Sequence, residues 1–432
     1  MRTKDKTVAP FTKLETVAGN GLLHRRLFLA AGAAAVGGNG LSLFAARPAG
    51  AKTLTVPTWT RTMGAPPSAY GAPSNYESAV QRIVRPGAAG APGTGGSWTP
   101  LELINGTITP AGLHFERHHN GVPEIDPAQH RVVIHGKVRR SLSFTVESLL
   151  RYPTISRIQF LECSGNSFRG WAREAVQQSA GSIHGLLSCS EWTGVPLSIL
   201  LDEAGVELGA TWVLAESADS AAFSRSVPLH KAMDDAMIAL WQNGERIRPE
   251  QGYPMRLFLP GFEGSMNVKW LRRLQVNDRP TMTRDETSKY SDLMPDGKAK
   301  LFTFTMGVKS LITSPSHGFR MRGPGFYEVS GLAWSGAGKI RRVDVSADGG
   351  RTWGEAALSD PILPKALTRF RMAWKWDGNP AILKSRAIDE TGEMQPSRDE
   401  LIARCGEHSG YHFNGIQPWK INAAGEVTNV HA

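Results

Sequence analysis

The sequence predicts an α+β domain followed by a β-sandwich of the immunoglobulin type. In the first part of the chain, short apolar strand-like runs alternate with short helical segments, without the regular strand–helix spacing of a parallel sheet. In the last part, residues 342–350 alternate in polarity and run into an Asp-Gly-Gly turn, which is typical of a hairpin. A chain of 432 residues has room for two or three domains.

Four segments follow from this pattern. Residues 1–51 are a predicted leader, and residues 52–98 are an irregular arm rich in Pro, Gly, Ser and Thr. Residues 99–294 form the predicted α+β domain and residues 295–432 the sandwich.

Local patterns support both domains. In the first, residues 145–152 and 196–205 are typical of short helices, with Thr145 and Thr193 as candidate N-caps. In the second, aromatic and other apolar side chains alternate along residues 369–376, which favours core packing over a cofactor site. No G-x-G-x-x-G follows a strand, so we expect no dinucleotide cofactor.

The leader is predicted to direct export by the twin-arginine route. Arg25 and Arg26 precede an apolar stretch rich in Ala and Gly, and Ala49-Gly50-Ala51 offers a small-x-small cleavage site. The alternative is a membrane anchor, but several glycines dilute the apolar stretch, and no later run is long enough to span a membrane. We therefore expect a periplasmic protein that folds, and receives any cofactor, before export.

Composition and charge narrow the classes of function. The chain is 41% hydrophobic, enough for large cores, and its three cysteines exclude a disulfide framework. The net charge is +10, of which seven Lys/Arg against two Asp/Glu in residues 1–51 contribute +5, leaving +5 for the remainder. That mildly basic surface favours anionic substrates or acidic partners. It is too weak for nucleic acid, since no basic run interleaved with aromatics is present.

Cys163 is the strongest candidate for chemistry. It ends an apolar strand-like run and enters a Ser-Gly-Asn turn, with Arg169 a few residues on. Such a position favours a thiolate, although a buried, packed thiol is the alternative. The chain has neither a papain-type Cys-Trp pair nor a G-x-S-x-G serine, so a soft metal suits this thiol better than acyl transfer. Cys189 and Cys405 are interpreted as structural or free thiols.

A second candidate lies in residues 114–120, which hold three histidines and Arg117. A zinc site is disfavoured because His118 and His119 are adjacent and point to opposite faces of a strand. An anion pocket with Arg117 and His119 as donors, or a solvated basic loop, remain as alternatives.

Arg256 and Lys269 form a third candidate. Both lie near Gly261 and Gly264 in sequence and could hold a phosphate; the alternative is a pair of exposed cations.

Together these motifs resemble the sulfite oxidase family of molybdenum enzymes. Residues 115–119 read Phe-Glu-Arg-His-His, against Phe-x-Arg-Asn-His in the family, and residues 162–166 read Glu-Cys-Ser-Gly-Asn, against Gln-Cys-Ala-Gly-Asn. Residues 252–256 read Gly-Tyr-Pro-Met-Arg, against Gly-Phe-Pro-Val-Arg, and residues 267–270 read Asn-Val-Lys-Trp, against His-Val-Lys-Trp. Residues 343–353 resemble the signature of the family's C-terminal dimerisation domain.

The resemblance implies a sulfite-oxidase-type molybdopterin-binding domain, an immunoglobulin-like dimerisation domain and a molybdenum–molybdopterin cofactor. It implies Cys163 as the metal ligand and Tyr290, Arg117 and Arg169 as catalytic residues. The implied cofactor-binding residues are Phe115, Glu116, Arg117, His118, His119, Asp219, Gln251, Arg256, Asn267, Val268 and Lys269.

The departures from the family pattern concern the substrate. Ser167 and Phe168 stand where the family has an Arg-Arg pair, with Arg169 one place later, and the second Arg of that pair helps to bind sulfite. Gln251 and Asn267 each replace a histidine. No C-x-x-C-H haem motif is present, so electrons are expected to leave to a separate protein.

Within the family, these features are similar to those of the molybdenum subunits of sulfane dehydrogenases. The similarity implies oxidation of sulfane sulfur held on a carrier protein's Cys in thiosulfate oxidation, with a c-type cytochrome as acceptor. It also implies a homodimer through the C-terminal domain and a heterotetramer with the cytochrome, and no membrane or nucleic-acid partner. The alternatives are a sulfite dehydrogenase that reduces cytochrome c, a periplasmic reductase of oxidised methionine, and a non-redox binding module.

Overall fold

The computed structural model describes residues 16–24, 56–87, 91 and 93–432. The predicted twin-arginine pair, Arg25 and Arg26, and the predicted cleavage site lie outside the described residues. None of the helices in the described part has the length and apolar character that a membrane-spanning helix requires.

The N-terminal part contributes short strands to two different places. They are β1 (Thr16–Ala18), β2 (Leu22–Leu23), β3 (Ile83–Pro86), β4 (Gly95–Trp98) and β5 (Glu116–His118). Strands β3, β4 and β5 form an antiparallel sheet that ends the predicted arm, whereas β1 and β2 join the C-terminal domain. Residues 56–80 between them are almost entirely exposed.

The α+β domain is built from longer strands and short helices. Its strands are β6 (Arg131–Gly136), β7 (Leu142–Thr145), β8 (Ile155–Glu162), β9 (Leu187–Pro196), β10 (Trp212–Ser217), β11 (Ser224–Pro228), β12 (Met237–Gln242), β13 (Glu245–Arg246), β14 (Arg256–Phe258) and β15 (Leu271–Asn277). Its helices are α1 (Val146–Leu149), α2 (Ala180–His184), α3 (Leu197–Ala204), α4 (Leu229–Asp234) and α5 (Arg284–Thr287).

Two sheets organise this domain. One has the order β11-β10-β15-β6-β7, in which β15 and β6 are parallel, and the other has the order β13-β12-β9-β8, with β14 on β12. Helix α3 buries Leu197, Leu200 and Leu201 in a core shared by both sheets. Thr145 caps α1 as predicted, since its hydroxyl accepts a hydrogen bond from the Ser148 amide.

The other predicted cap is wrong. Thr193 lies inside β9, and Pro196 immediately precedes α3 without a side-chain cap. The strand continues because β9 pairs with β8 and β12 on both sides, which outweighs the local capping preference of a threonine.

The C-terminal domain is a sandwich of two sheets, as predicted. Its elements are β16 (Asp292–Leu293), β17 (Ala299–Lys300), β18 (Lys309–Ser314), β19 (Gly325–Trp334), β20 (Ile340–Ser346), β21 (Gly354–Glu355), β22 (Ala357–Leu358), β23 (Thr368–Trp376), β24 (Ala381–Asp389), α6 (Arg398–Cys405), β25 (Trp419–Ile421) and β26 (Val427–Asn429). The sheets have the orders β1-β2-β23-β19-β18, with β22 on β23, and β21-β20-β24-β25-β26.

The core between these sheets explains the alternation in the sequence. Phe370, Met372, Trp374 and Trp376 of β23 are all buried, in line with the predicted core role. Large aromatic side chains of this kind supply much of the apolar area that a sandwich of short strands needs to be stable.

A buried ion pair joins the two domains directly behind Cys163. The Glu162 carboxylate, only 1% exposed, accepts hydrogen bonds from Lys309 Nζ at 3.0 Å and from Trp334 Nε1 at 2.7 Å. Within the same turn it also accepts one from Asn166 Nδ2 at 2.9 Å. Burial lowers the pKa of Lys309, and the Glu162 charge offsets part of that shift.

We predict that the Glu162–Lys309 pair contributes strongly to the stability of the contact between the two domains. Lys309→Met leaves Glu162 buried without its cation and should lower the free energy of unfolding by about 3–5 kcal/mol, measured by urea denaturation. Adding Glu162→Gln to that variant removes the unpaired charge and should recover part of the loss. A double variant that loses the sum of both single effects would contradict the coupling.

Candidate active site

All of the predicted site residues except Arg169 line one cavity in the α+β domain. The cavity lies among strand β5, the end of β8, the loop after β10, and the loops on either side of β14. The other residues along its wall are Leu161, Ser217, Phe223, Gly264, Ser265 and Trp270. Segments far apart in sequence thus meet at one place, while the roles of the individual residues stay predictions.

Cys163 is held at the cavity by a tight turn. Its amide donates to Leu186 O at 3.0 Å, and its carbonyl accepts a hydrogen bond from the Asn166 amide at 2.8 Å. A Cβ at Gly264 would lie 2.8 Å from Glu162 O and 3.0 Å from Cys163 Cα, so only glycine fits opposite this turn. Burial raises the pKa of the Cys163 thiol, whereas Arg117 acts to lower it. The thiolate expected from the sequence therefore needs a positive partner at the sulfur, such as a metal ion.

Lys269 is a cationic residue in the wall of the cavity. Its ammonium donates to Arg117 O at 3.2 Å and to Glu250 O at 3.1 Å, and lies 2.9 Å from His118 Nδ1. Burial, followed by the nearby Arg256, lowers the pKa of Lys269 to about 7. Because its surroundings disfavour the charged form of Lys269, an anionic group bound beside it would stabilise the ammonium.

The two neighbouring histidines have different partners, although both line the cavity. His118 Nε2 lies 2.7 Å from Glu116 Oε2, whereas His119 faces Tyr290. No group of three or more His, Cys, Asp or Glu side chains suited to a metal ion occurs within the described parts of the chain.

Arg256 holds the loops of the site together. It is only 2% exposed, and its guanidinium donates to Gln251 O and Asn267 O, both at 2.9 Å, while Nε lacks a partner. Burial lowers its pKa to about 9. The alternative of two exposed cations is therefore wrong, because Arg256 is buried and Lys269 is half-buried.

The residues that replace the two family histidines bind backbone groups. Gln251 Nε2 donates to Phe115 O at 2.8 Å, and Asn267 Oδ1 accepts from the Leu259 amide at 2.7 Å. Asn267 Nδ2 also donates to Glu263 O at 2.9 Å. These amides therefore fix the loops that carry the cavity wall.

Tyr290 and His119 form a neutral pair over the cavity. The Tyr290 hydroxyl and His119 Nε2 lie 2.9 Å apart. Burial, with help from Arg117, lowers the pKa of His119 to about 3, and burial raises the pKa of Tyr290 far above its ordinary value. Both groups are thus uncharged at neutral pH, so the pair can donate a hydrogen bond without adding charge.

Arg225 is a site residue that sequence reasoning missed. Its guanidinium carbon lies 4.7 Å from the centre of the Tyr290 ring, and the residue is fully buried. NH1 donates to Ser265 Oγ at 2.5 Å and NH2 to Glu263 Oε1 at 3.1 Å. An isolated Arg in a strand gives no signal in the sequence, because its partners come from distant loops.

Glu263 connects this arginine to the Cys163 turn and to the sandwich. Its Oε2 accepts from Ser164 Oγ at 2.5 Å and lies 3.2 Å from His412 Nε2. The His412 amide in turn donates to Ser164 O at 2.8 Å. Burial alone would raise the pKa of Glu263, but His412, Arg225 and Ser164 together lower it to about 2.

Arg169 lies outside the wall of the cavity. It belongs to a short 3-10 turn, Phe168–Trp171, and its guanidinium carbon lies 5.5 Å from the centre of the Phe168 ring. Phe168 itself is 49% exposed. The predicted catalytic role of Arg169 stays a prediction.

The donor set suits a molybdenum–molybdopterin cofactor. A thiol in the cavity wall can bind a soft metal, and the half-buried cations Lys269 and Arg117 can neutralise an anionic pterin phosphate. Arg256 Nε is a buried donor without a protein partner. The close approach at Gly264 also keeps the wall beside Cys163 free of a side chain.

Comparison with known proteins identifies the family. Residues 119–284 match the model of the oxidoreductase molybdopterin binding domain, and residues 300–416 match the Mo-co oxidoreductase dimerisation domain. Together these two matches cover more than half of the chain.

Curated relatives include mitochondrial sulfite oxidase and plant nitrate reductase. The chain is 31% identical to mitochondrial sulfite oxidase of Mus musculus over 322 residues, 69% of this chain and 59% of that protein. It is 32% identical to nitrate reductase [NADH] of Solanum lycopersicum over 347 residues, 69% of this chain and 37% of that protein. The chain thus spans less than two thirds of the length of these relatives.

One solved structure is matched over nearly its whole length, unlike the two curated relatives. The crystal structure of the sulfane dehydrogenase SoxCD from Paracoccus pantotrophus superposes with a TM-score of 0.85 and 46% sequence identity, covering 87% of this chain and 97% of that one. The chain therefore belongs to the sulfite oxidase family of molybdopterin-binding oxidoreductases. The predicted family, cofactor and two-domain fold class are confirmed.

We predict that Glu263 stabilises the site through its charge. Glu263→Gln removes the nearer of the two carboxylates beside the buried Arg225 and leaves only Glu286, at 3.9 Å, so it should lower the free energy of unfolding at neutral pH by about 3 kcal/mol. Because folding lowers the pKa of Glu263 from 4.5 to about 2, its contribution is complete above pH 4.5 and is lost as the pH falls towards 2.

Denaturation curves at several pH values test this. The difference between wild type and Glu263→Gln should therefore narrow below pH 4.5. Glu328→Gln, which removes one partner of a surface pair with Arg371, is the matched control and should cost less than about 1 kcal/mol. Equal losses in the two variants would contradict a special role for Glu263.

Proposed function

We propose that the protein is the molybdenum subunit of a sulfane dehydrogenase. In this proposal it oxidises sulfane sulfur bound to the Cys of a carrier protein during thiosulfate oxidation and passes electrons to a c-type cytochrome. The observation that carries the proposal is the 46% identity to a sulfane dehydrogenase structure over 97% of that chain.

Different residues of the cavity would bind the metal and the pterin. Cys163 would be the protein ligand of molybdenum, while Lys269 and the backbone loops fixed by Arg256, Gln251 and Asn267 would hold the pterin and its phosphate. The cofactor supplies two-electron oxidation at sulfur with oxygen derived from water. In each such step, a terminal sulfane sulfur gains one oxygen atom from water, and two protons and two electrons are released.

Arg117 and Tyr290 would bind the sulfur substrate. Arg117 brings positive charge to a cavity wall that also holds Cys163, which suits a persulfide or an oxyanion on sulfur. Tyr290, kept neutral by burial and steadied by Arg225 beneath its ring, would donate a hydrogen bond to the same group. His119, neutral at this pH, would donate from Nε2–H to the Tyr290 oxygen and leave the Tyr290 hydrogen free for the substrate.

The partners and the location belong to the same proposal. The chain would leave the cytoplasm by the twin-arginine route with its cofactor in place and act in the periplasm. It would form a homodimer through the sandwich, in keeping with the dimerisation-domain match, and a heterotetramer with the cytochrome. The positive surface would speed the encounter with an acidic partner.

Cys163→Ser should abolish turnover and remove most of the bound molybdenum, because a hydroxyl is a poor ligand for a soft metal. Metal analysis and steady-state rates of the purified protein measure this, and circular dichroism checks the fold. Cys405→Ser is the control, since Cys405 lies in α6, outside the cavity. Normal metal content and activity in Cys163→Ser would refute the assignment.

The rival function is a sulfite dehydrogenase, favoured by the relationship to mitochondrial sulfite oxidase. We expect the holoenzyme with its cytochrome to use carrier-bound sulfane with a kcat/KM roughly tenfold or more above that for free sulfite, a difference of at least about 1.4 kcal/mol in transition-state binding. Steady-state kinetics with both substrates decide the matter. Efficient oxidation of sulfite, with none of the carrier-bound sulfur, would establish the rival.

A further inference from the structure

Residues 16–23 of the predicted leader pack into the sandwich. Strands β1 and β2 form a small hairpin, and Leu22 pairs in antiparallel fashion with Trp374 of β23. Leu22 and Leu23 are 0% and 1% exposed, and Leu22 is part of the sandwich core. This burial equals that of the central core residues, so the hairpin occupies a formed groove rather than an open surface.

Specific hydrogen bonds fix the hairpin in this groove. Trp374 Nε1 donates to Asn20 O at 2.6 Å, and Asn20 Nδ2 donates to Ala347 O at 2.9 Å. The Gly19 amide donates to Thr352 Oγ1 at 2.6 Å, while that hydroxyl donates to Asp348 Oδ2 at 2.6 Å. The Gly19 amide, the Asn20 carbonyl and the Asn20 side-chain amide are therefore all bonded to groups of the sandwich.

The groove also selects for glycine. At Gly21, where φ is +85°, a Cβ would lie 2.1 Å from Lys375 O, and at Gly19 it would lie 2.3 Å from Asp348 Oδ2. Asn20 between them is left-handed, with φ of 56°. A side chain at Gly21 would collide with the backbone of the groove, whereas one at Gly19 would displace only the Asp348 carboxylate, so the fit requires glycine at position 21.

Both sheets of the sandwich build the groove. Trp374 and Lys375 belong to β23 of one sheet, and residues 347–352 form the loop that follows β20 of the other. That loop lies within residues 343–353, the segment that resembles the dimerisation-domain signature. The groove can therefore exist only after the two sheets have packed together.

We propose that the sandwich contains a peptide-binding groove whose ligand is residues 16–23 of its own leader. Occupancy of the groove joins the segment directly before Arg25 and Arg26 to the folded state of the sandwich, so residues 16–23 are withdrawn from solvent only in a folded precursor. The proposal is independent of the substrate of the active site.

Full-length precursor provides the first test. Leu22→Asp with Leu23→Asp places two charges in the groove and should lower Tm by roughly 5 °C or more, whereas the exposed Thr16→Ala should leave it unchanged. In wild type, hydrogen exchange at residues 16–23 should be slow and should become fast in the double variant. Fast exchange of residues 16–23 in folded wild type would overturn the proposal, whether or not the double variant folds.

A synthetic peptide of residues 16–24 provides the second test. Added to the full-length double-Asp variant, it should bind and restore most of the lost Tm, because the variant's own segment has left the groove. The same peptide with Gly21→Ala should not bind, and neither peptide should bind wild type, in which the groove is occupied. Absence of binding to a folded variant, or equal binding of the two peptides, would overturn the proposal.

Discussion

The carboxylate of Glu162 joins the turn that carries Cys163 to the C-terminal sandwich. It ends the strand that delivers Cys163 and accepts hydrogen bonds from Asn166 in the turn and from Lys309 and Trp334 in the sandwich. A buried carboxylate is costly unless every acceptor site is filled, so the turn has little freedom to move away from these donors. The position of the thiol is thus set by both domains and not by the α+β domain alone.

The wall of the cavity contains three cationic side chains. Lys269, Arg256 and Arg117 lie along its wall, and burial lowers the pKa of the first two. Two carboxylates share this wall: Glu116 lies 2.7 Å from His118, and Asp219 accepts a hydrogen bond from the Phe223 amide at 3.3 Å. Three cations against two carboxylates therefore lie where an anionic cofactor would lie, and such an anion would offset part of the cost of burying Lys269 and Arg256.

Short motifs and strand alternation predicted much of the fold and the site. Residues 115–119 and Cys163 line the cavity, and both motifs could be found in the sequence because their chemistry is local. Arg225, Glu263 and His412 could not be predicted, since each matters only through partners that lie far away in the chain. The hairpin of the leader escaped prediction for the same reason: its pattern suits export, and the groove that binds it forms only in the folded sandwich.

The sandwich, which matches the dimerisation-domain model, also contributes to the active site. It supplies Lys309 to the turn of Cys163 and His412 to the Glu263 network, so its folding fixes two sides of the active site. It also binds residues 16–23 through the loop that follows β20. Removal of the leader at the predicted cleavage site would take away the acceptor of the Trp374 indole and expose apolar surface at the edge of β23. If the proposed leader is removed, this edge of the sandwich would have to be repacked or covered.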